Sequence, residues 1–232
     1  MYAKFFKRVF DFSAALSAVI IFSPLYIVLT VTGAFAMHGN PFFLQQRPGK
    51  KDKHGKEKIF KLIKFRTMSN KYDDEGNLLP DDLRLNKYGK FLRSTSLDEL
   101  PEAFNILKGD MSVIGPRPQL VRDMVFMTEN QRRRHDVRPG LSGLAQINGR
   151  NNITWEDKLG FDLQYIDKGI TFLDDVKIIV LTVVKAFVKR ENISQNGFDT
   201  AEDLGDYLLR ENKVNSEEYR KKMDESKILL KI

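Results

Sequence analysis

From Phe12 to Met37 the chain runs 26 residues without a charged side chain, and Ser23-Pro24 stands near the middle of that run. As one unbroken helix it would be about 39 Å long at 1.5 Å per residue, more than a hydrocarbon core of roughly 30 Å requires. Proline inside a helix removes a hydrogen bond and clashes with the preceding turn, while a serine beside it can rebond the freed carbonyl. Lys4, Lys7 and Arg8 precede the run. After it, Gln45 to Arg66 carries nine Lys/Arg against Asp52 and Glu57, and nine minus two equals the whole net charge of +7. Basic flanks prefer the cytoplasmic side, so two of them argue for both ends on one face of a membrane. Ala34-Phe35-Ala36 resembles a leader cleavage site, but the apolar run is too long for a leader and the chain after it too basic. On these residues a kinked single span and a re-entrant helical hairpin both stay open.

Composition narrows the partners. At 232 residues, 42% apolar and 30% charged, the chain is long enough for one ordinary domain with appendages and should mostly fold. Without cysteine it forms no disulfide and no thiolate zinc site, which fits a reducing cytosol. His38, His54 and His135 are too scattered to predict a metal cluster. A basic block right after an apolar run points to anionic lipid headgroups, phosphate ligands or both. Phe60 and Phe65 interleave with its lysines as in a nucleic-acid surface, but the adjoining membrane signal ranks that reading last and no nucleic acid is expected.

Downstream, residues 41–46 look strand-like and Pro48-Gly49 a turn, with a loop over 50–58 and a β-prone segment over 59–68. A polar, acidic loop follows to Pro80. Ser96-Leu97-Asp98-Glu99 fits a capping box that would open a helix with Leu100, Phe104 and Leu107 on one face, closed by Gly109. Residues 124–135 read as a helix crowded with Arg132, Arg133 and Arg134, and 139–149 as a glycine-punctuated loop. Residues 172–188 form an apolar helix interrupted by Lys177 and Lys185, suited to a membrane interface or to a core. From Asp199 on, nine acids face seven bases with scattered apolar positions, which predicts a marginal helical tail.

The adjacent carboxylates Asp98 and Glu99 have a bland reading, since acids in a first helical turn are stabilised by the helix dipole. Their surroundings carry a sharper one. Neighbours on a helix diverge by about 100°, so one acid could attack while the other holds a cation. A carboxylate can attack phosphorus to give an acyl phosphate if the diphosphate charge is neutralised, which calls for Mg²⁺ and arginines. Magnesium takes one or two carboxylates, phosphate oxygens and water. Arg117, held in Pro116-Arg117-Pro118, is the strongest candidate clamp, with Arg93, Arg66 and Lys64 behind it.

Taken together the residues carry a resemblance. Besides Ser23-Pro24, they are Phe43-x-Gln45-x-Arg47-x-Gly49, Lys64-Phe65-Arg66-Thr67-Met68 and Leu92-Arg93-x-x-Ser96-Leu97-Asp98-Glu99-Leu100-Pro101. Asn105-x-Leu107-x-Gly109-Asp110-Met111-Ser112, Gly115-Pro116-Arg117-Pro118 and Arg138-Pro139-Gly140-x-x-Gly143-Leu144-Ala145-Gln146-x-Asn148-Gly149-Arg150 follow in order. From about Lys4 to Arg190 the chain resembles the bacterial sugar transferase family, in its small monotopic phosphoglycosyl transferase form without the four-span amino-terminal domain of larger relatives. Glu102-Ala103 departs from the usual Gln-Leu, and Asn86 stands where Thr is common.

The resemblance implies transfer of a sugar-1-phosphate from a UDP-sugar to undecaprenyl phosphate with release of UMP. It implies Asp98 as nucleophile, Glu99 as Mg²⁺ ligand, Ser23-Pro24 as the re-entrant break, and phosphate contacts from the arginines, so that Arg66, Arg93 and Arg117, with Lys64 from the residue reading, are the expected phosphate-binding residues. Arg138, Gln146 and Arg150 are nucleotide-side candidates. The donor sugar is expected to be an N-acetylated amino sugar, by analogy alone.

The expected fold is α/β, mostly helical with short strands. A re-entrant membrane helix over 1–38 precedes a cytosolic catalytic domain over 39–190 with interfacial amphipathic helices, and a polar tail covers 191–232. The expected setting is the cytoplasmic membrane of a bacterium, with the catalytic domain facing the cytoplasm, membrane lipids as partners and downstream glycosyltransferases as candidates. Rival readings are a membrane-bound phosphodiesterase using the same acids with water, and a lipid-binding scaffold with silent acids.

Overall fold

A computed structural model describes residues 2–149, 153–185 and 202–231. Helices α1 (Phe6–Ile21) and α2 (Ser23–Ala36) lead into strands β1 (Phe42–Lys51) and β2 (Glu57–Phe65). Next come α3 (Asp81–Arg84), α4 (Lys87–Thr95), α5 (Glu102–Lys108), strand β3 (Ser112–Ile114) and α6 (Val121–Met124). Strand β4 (Gly140–Ser142), α7 (Leu144–Ile147), α8 (Trp155–Asp167), α9 (Phe172–Val183), α10 (Leu204–Arg210) and α11 (Ser216–Leu230) complete it. The architecture is mixed α/β, with helices predominating over two short two-stranded sheets.

The apolar run is broken where the proline requires it. The axes of α1 and α2 differ by 65°, and Pro24 sits in the first turn of α2, where its missing N–H costs least. The Ser23 hydroxyl donates to the Ile20 carbonyl at 2.8 Å, the acceptor that an N–H at position 24 would have used. Among the described residues no single helix is long and apolar enough to cross a membrane, but this bent pair together is.

One narrow face of the pair meets the protein. Lys7, Asp11 and Ala15 are buried on α1, and Leu29 and Gly33 on α2. Lys7 pairs with Asp175 of α9, Asp11 accepts the Val113 N–H at 3.0 Å, and Arg8 donates to the last-turn carbonyls of α5, Ile106 and Leu107. The opposite face, with Phe6, Val9, Ile20, Ile21, Ile27 and Phe35, is exposed. So are Phe172, Leu173, Val180 and Val183 of α9. The helix continues past α9 as a π-helical turn at 184–185 that includes Lys185, and residues 186–188 of the expected helix lie outside the described residues.

Three local expectations are corrected. Pro48-Gly49 does not turn the chain: β1 runs on to Lys51 opposite β2, and the turn comes at Asp52–Lys56 around Gly55 at φ 77°. Proline is tolerated because the ribbon has only two strands and its missing N–H can face outward. Ser96 caps no helix. It ends α4 in the left-handed conformation (φ 56°), Leu97–Glu99 form a single 3₁₀ turn, and α5 starts only after Pro101. Glu99 is drawn away from the backbone by two cations, and α5 buries Ala103 and Ile106 while Phe104 is exposed. Residues 124–135 are not one helix, since α6 ends at Met124 and a 3₁₀ stretch runs from Gln131 to Asp136. Gly109 does close α5, at φ 91°.

The glycine-rich segment is a packing device. Strands β3 and β4 pair in parallel, bringing Gly115, Gly140 and Gly143 backbone to backbone. A Cβ on Gly140 would lie 2.1 Å from the Gly115 nitrogen, and one on Gly143 would lie 2.2 Å from the Gly115 carbonyl oxygen. That closeness fixes the Pro-Arg-Pro turn that follows.

The tail is docked. Leu204 is buried in a core with Val125, Phe126, Met127, Trp155 and Leu159, against which Tyr207, Leu208, Tyr219 and Met223 pack. Asp123 accepts the backbone N–H of Leu204 at 2.9 Å.

Candidate active site

One cleft of about 630 Å³ collects most of the predicted chemistry: Lys64, Arg66, Arg93, Asp98, Glu99, Arg117 and Gln146 all line it. They come from five pieces of the fold. Lys64 is the penultimate residue of β2 and Arg66 follows that strand; Arg93 lies in the last turn of α4, Asp98 and Glu99 on the 3₁₀ turn, Arg117 after β3 and Gln146 on α7. Alternation along β1 puts Phe43, Gln45 and Arg47 on the cleft face as well. Ser23 and Pro24 are not part of it. Arg138 is not among the lining side chains, since its Nε donates to the Gly109 carbonyl at 2.8 Å. Arg150 lies outside the described residues.

The two acids stand in different surroundings. Glu99 meets Lys64 Nζ at 2.9 Å through Oε1, and Arg117 engages both of its oxygens, with NH1 at 3.4 Å from Oε2. Burial alone would raise its pKa, but Arg117 and Lys64 overcome that and hold it well below the usual carboxylate range. Among the described residues no hydrogen bond or ion pair fixes the Asp98 carboxylate. Burial, and then the charge of Glu99, push its pKa up to about 6, with Lys64, Arg117 and Arg93 opposing from nearby. One carboxylate is locked and ionised. Its neighbour is unbound and more basic, the kind of separation that marks different roles for paired acids.

Supporting groups explain how the cations are held. Arg117 NH1 donates to the Leu141 carbonyl of β4 at 3.3 Å, so the glycine-packed strand pair aims the guanidinium. The Arg117 carbonyl accepts from Arg134 NH2 at 2.6 Å, and Arg134 is itself buried against Asp162. Arg47 reaches the Pro118 carbonyl at 3.2 Å and Gln45 Oε1 at 2.6 Å, its pKa lowered to about 10 by burial and then by Arg117. Arg93 Nε donates to Thr67 Oγ1 at 3.1 Å. Lys64 also lies 3.2 Å from Glu102, whose pKa burial and the charge of Glu99 raise to about 7.

Asp162 and the tail residues Glu202 and Asp203 also line the cleft, and Glu102 and Arg134 support it through Lys64 and Arg117; none of them is a site candidate from the sequence. Only the alternation at Gln45 and Arg47 offered a signal. The others meet the site through long-range contacts.

Among the described residues no group of three or more His, Cys, Asp or Glu is arranged to hold a metal ion. A magnesium ion that brings phosphate oxygens with it needs only one or two protein carboxylates, and Asp98 and Glu99 are the pair beside the cations of the cleft. They do not form an all-protein cage.

Residues 2–189 match the family model of the bacterial sugar transferases. The chain is 48% identical over 197 residues to the uncharacterized sugar transferase EpsL of Bacillus subtilis, covering 84% of this chain and 94% of that one. It is 39% identical over 195 residues to the UDP-glucose:undecaprenyl-phosphate glucose-1-phosphate transferase of Klebsiella pneumoniae, covering 80% of this chain and 41% of the relative. With the undecaprenyl-phosphate galactose phosphotransferase of Salmonella typhimurium it shares 34% over 210 residues, 82% of this chain and 42% of that one. It thus spans about two fifths of the length of these two relatives. A match over residues 2–189, continuous through the whole cleft apart from its tail wall, makes the chain a sugar-phosphate transferase that belongs to the bacterial sugar transferase family.

Proposed function

We propose that the enzyme moves a sugar-1-phosphate from a UDP-sugar to undecaprenyl phosphate and releases UMP, at the first membrane step of surface glycan assembly. The observation that carries this reading is the asymmetric pair, in which Glu99 is held by Lys64 and Arg117 while the Asp98 carboxylate stands unbound beside them. The names of the Klebsiella and Salmonella relatives supply the donor and acceptor class.

The proposed reaction is ping-pong. An Asp98 oxygen attacks the sugar-bearing phosphorus, and the bond to the bridging oxygen breaks with its electron pair leaving on UMP. The lipid phosphate then attacks the same phosphorus, and the Asp98 carboxylate departs restored. Arg117, Lys64, Arg66 and Arg93 offset the negative charge that would otherwise repel the nucleophile. Arg150, from outside the described residues, is a nucleotide-side candidate, Arg138 would act through the loop it braces, and Gln146, which lines the cleft, lies on the sugar side of the donor. Glu99 would hold a magnesium ion, which would supply further charge neutralisation at the donor's phosphates.

The exposed apolar faces of α1, α2 and α9 support a monotopic, re-entrant seat in the cytoplasmic membrane that brings the lipid phosphate to the cleft. Because the chain has no cysteine, single cysteines at Tyr2 and Gly39 test this directly. Both should react with a membrane-impermeant reagent from the cytoplasmic side, and labelling on opposite faces excludes the re-entrant seat. The reaction is tested by a panel of UDP-sugars, N-acetylated amino sugars included, with undecaprenyl phosphate. UMP release should require the lipid phosphate beyond the first turnover; sustained release without it would instead mean hydrolysis.

A further inference from the structure

The cleft carries charge of both signs. Arg47, Lys64, Arg66, Arg84, Arg93 and Arg117 line it around Asp98 and Glu99, and Asp123, Asp162, Glu202 and Asp203 line it with Lys158. Phosphates belong beside the cations, and the further acids favour a neutral group rich in hydroxyl donors.

Two of the lining residues carry polar atoms that the fold does not satisfy. Gln146 is 8% exposed, and neither its Nε2 nor its Oε1 has a hydrogen-bond partner. Asp162 is 1% exposed; its Oδ2 takes Arg134 Nε at 3.0 Å and NH2 at 2.7 Å, while Oδ1 has none. A buried polar atom without a partner is costly, and such groups call for an explanation. Both side chains line the same cleft beside Trp155, over whose ring Lys158 Nζ lies at 4.2 Å.

Part of the lining, Glu202 and Asp203, comes from the tail, outside the residues that match the family model. Trp155 Nε1 donates to the Glu202 carbonyl at 3.0 Å, Asp203 pairs with Arg122, and Asp123 holds Leu204. Whatever meets this wall meets something beyond the family's shared domain. The relatives share undecaprenyl phosphate and differ in the sugar, glucose in the Klebsiella enzyme and galactose in the Salmonella one. We propose that Gln146 and Asp162, closed over by Glu202 and Asp203, form the subsite that selects the donor's sugar ring.

This rests on the UDP-sugar reading, and the test separates the two. Binding of UDP, UDP-glucose, UDP-galactose and UDP-N-acetylglucosamine to the full chain is measured by calorimetry, for the wild type and for Gln146→Leu and Asp203→Asn. The wild type should prefer one UDP-sugar over UDP and over the other sugars by about tenfold or more, as a site built to bond hydroxyls does. Gln146→Leu should shrink that preference to about threefold or less, leave UDP affinity within about twofold, and unfold at no lower temperature, since it removes an unpaired amide. Asp203→Asn should weaken the preference in the same direction. Loss of UDP affinity in parallel with UDP-sugar affinity would place the nucleoside here and overturn the proposal, as would an unchanged preference in both variants. A wild type that binds UDP and every UDP-sugar alike also overturns it, whereas one that binds no UDP sinks the donor reading itself.

Discussion

Replacing Asp98 with asparagine should abolish transfer, by at least about 10³-fold in turnover, while leaving the fold intact. The amide matches the carboxylate in size but has neither its charge nor its nucleophilic oxygen. Among the described residues no hydrogen bond or ion pair holds that carboxylate, and burial and the charge of Glu99 already push its pKa up to about 6 against Lys64, Arg117 and Arg93, so a neutral side chain is readily accommodated. UMP release from the donor and thermal unfolding, measured on the same preparation, decide the point. Lost release with an unchanged or higher melting temperature is expected. Retained release would show that some other group attacks phosphorus.

The second large effect is expected at Arg117. Changing it to alanine removes the cation that touches both oxygens of Glu99 and leaves Lys64 to hold that acid alone. The loss in kcat/KM should be about 10²- to 10³-fold, the scale seen when one preorganised charge-stabilising donor is removed. Lysine should restore only a small part, because a single ammonium cannot span both oxygens of Glu99 and reach the Leu141 carbonyl as the guanidinium does. Steady-state kinetics on both variants checks this. Full rescue by lysine would reduce Arg117 to a point charge and contradict the geometric role.

What could be read beforehand divides by the range of the interactions. The break at Ser23-Pro24 was legible because the missing N–H of Pro24 and the hydroxyl of Ser23 act within one turn, on Ile20. Gly109 was legible for the same reason, as a left-handed stop needs no distant partner. Ser96 was misread because the capping box is also a local pattern, and here Pro101 and the pull of Lys64 and Arg117 on Glu99 outweigh it. Most of the cationic side of the cleft was visible in motif order, with Arg47 named as part of a motif but not as a site residue. Arg134 was hidden in a run of three arginines; only its meeting with Asp162 of α8 distinguishes it from Arg132 and Arg133. The docking of the tail was least legible, because Leu204, Leu208, Tyr219 and Met223 are divided between two helices and find their partners far away in the sequence, on Val125, Phe126 and Met127 just after α6 and on Trp155 and Leu159 of α8.

The account depends on phosphorus passing through Asp98. The full chain should be incubated with a UDP-sugar and no lipid acceptor, quenched, digested, and its peptides weighed. The peptide containing Asp98 should gain the mass of one sugar-phosphate, and the gain should vanish in Asp98→Asn or after undecaprenyl phosphate is added. Release of UMP from wild type with every peptide at its unmodified mass would contradict a covalent route.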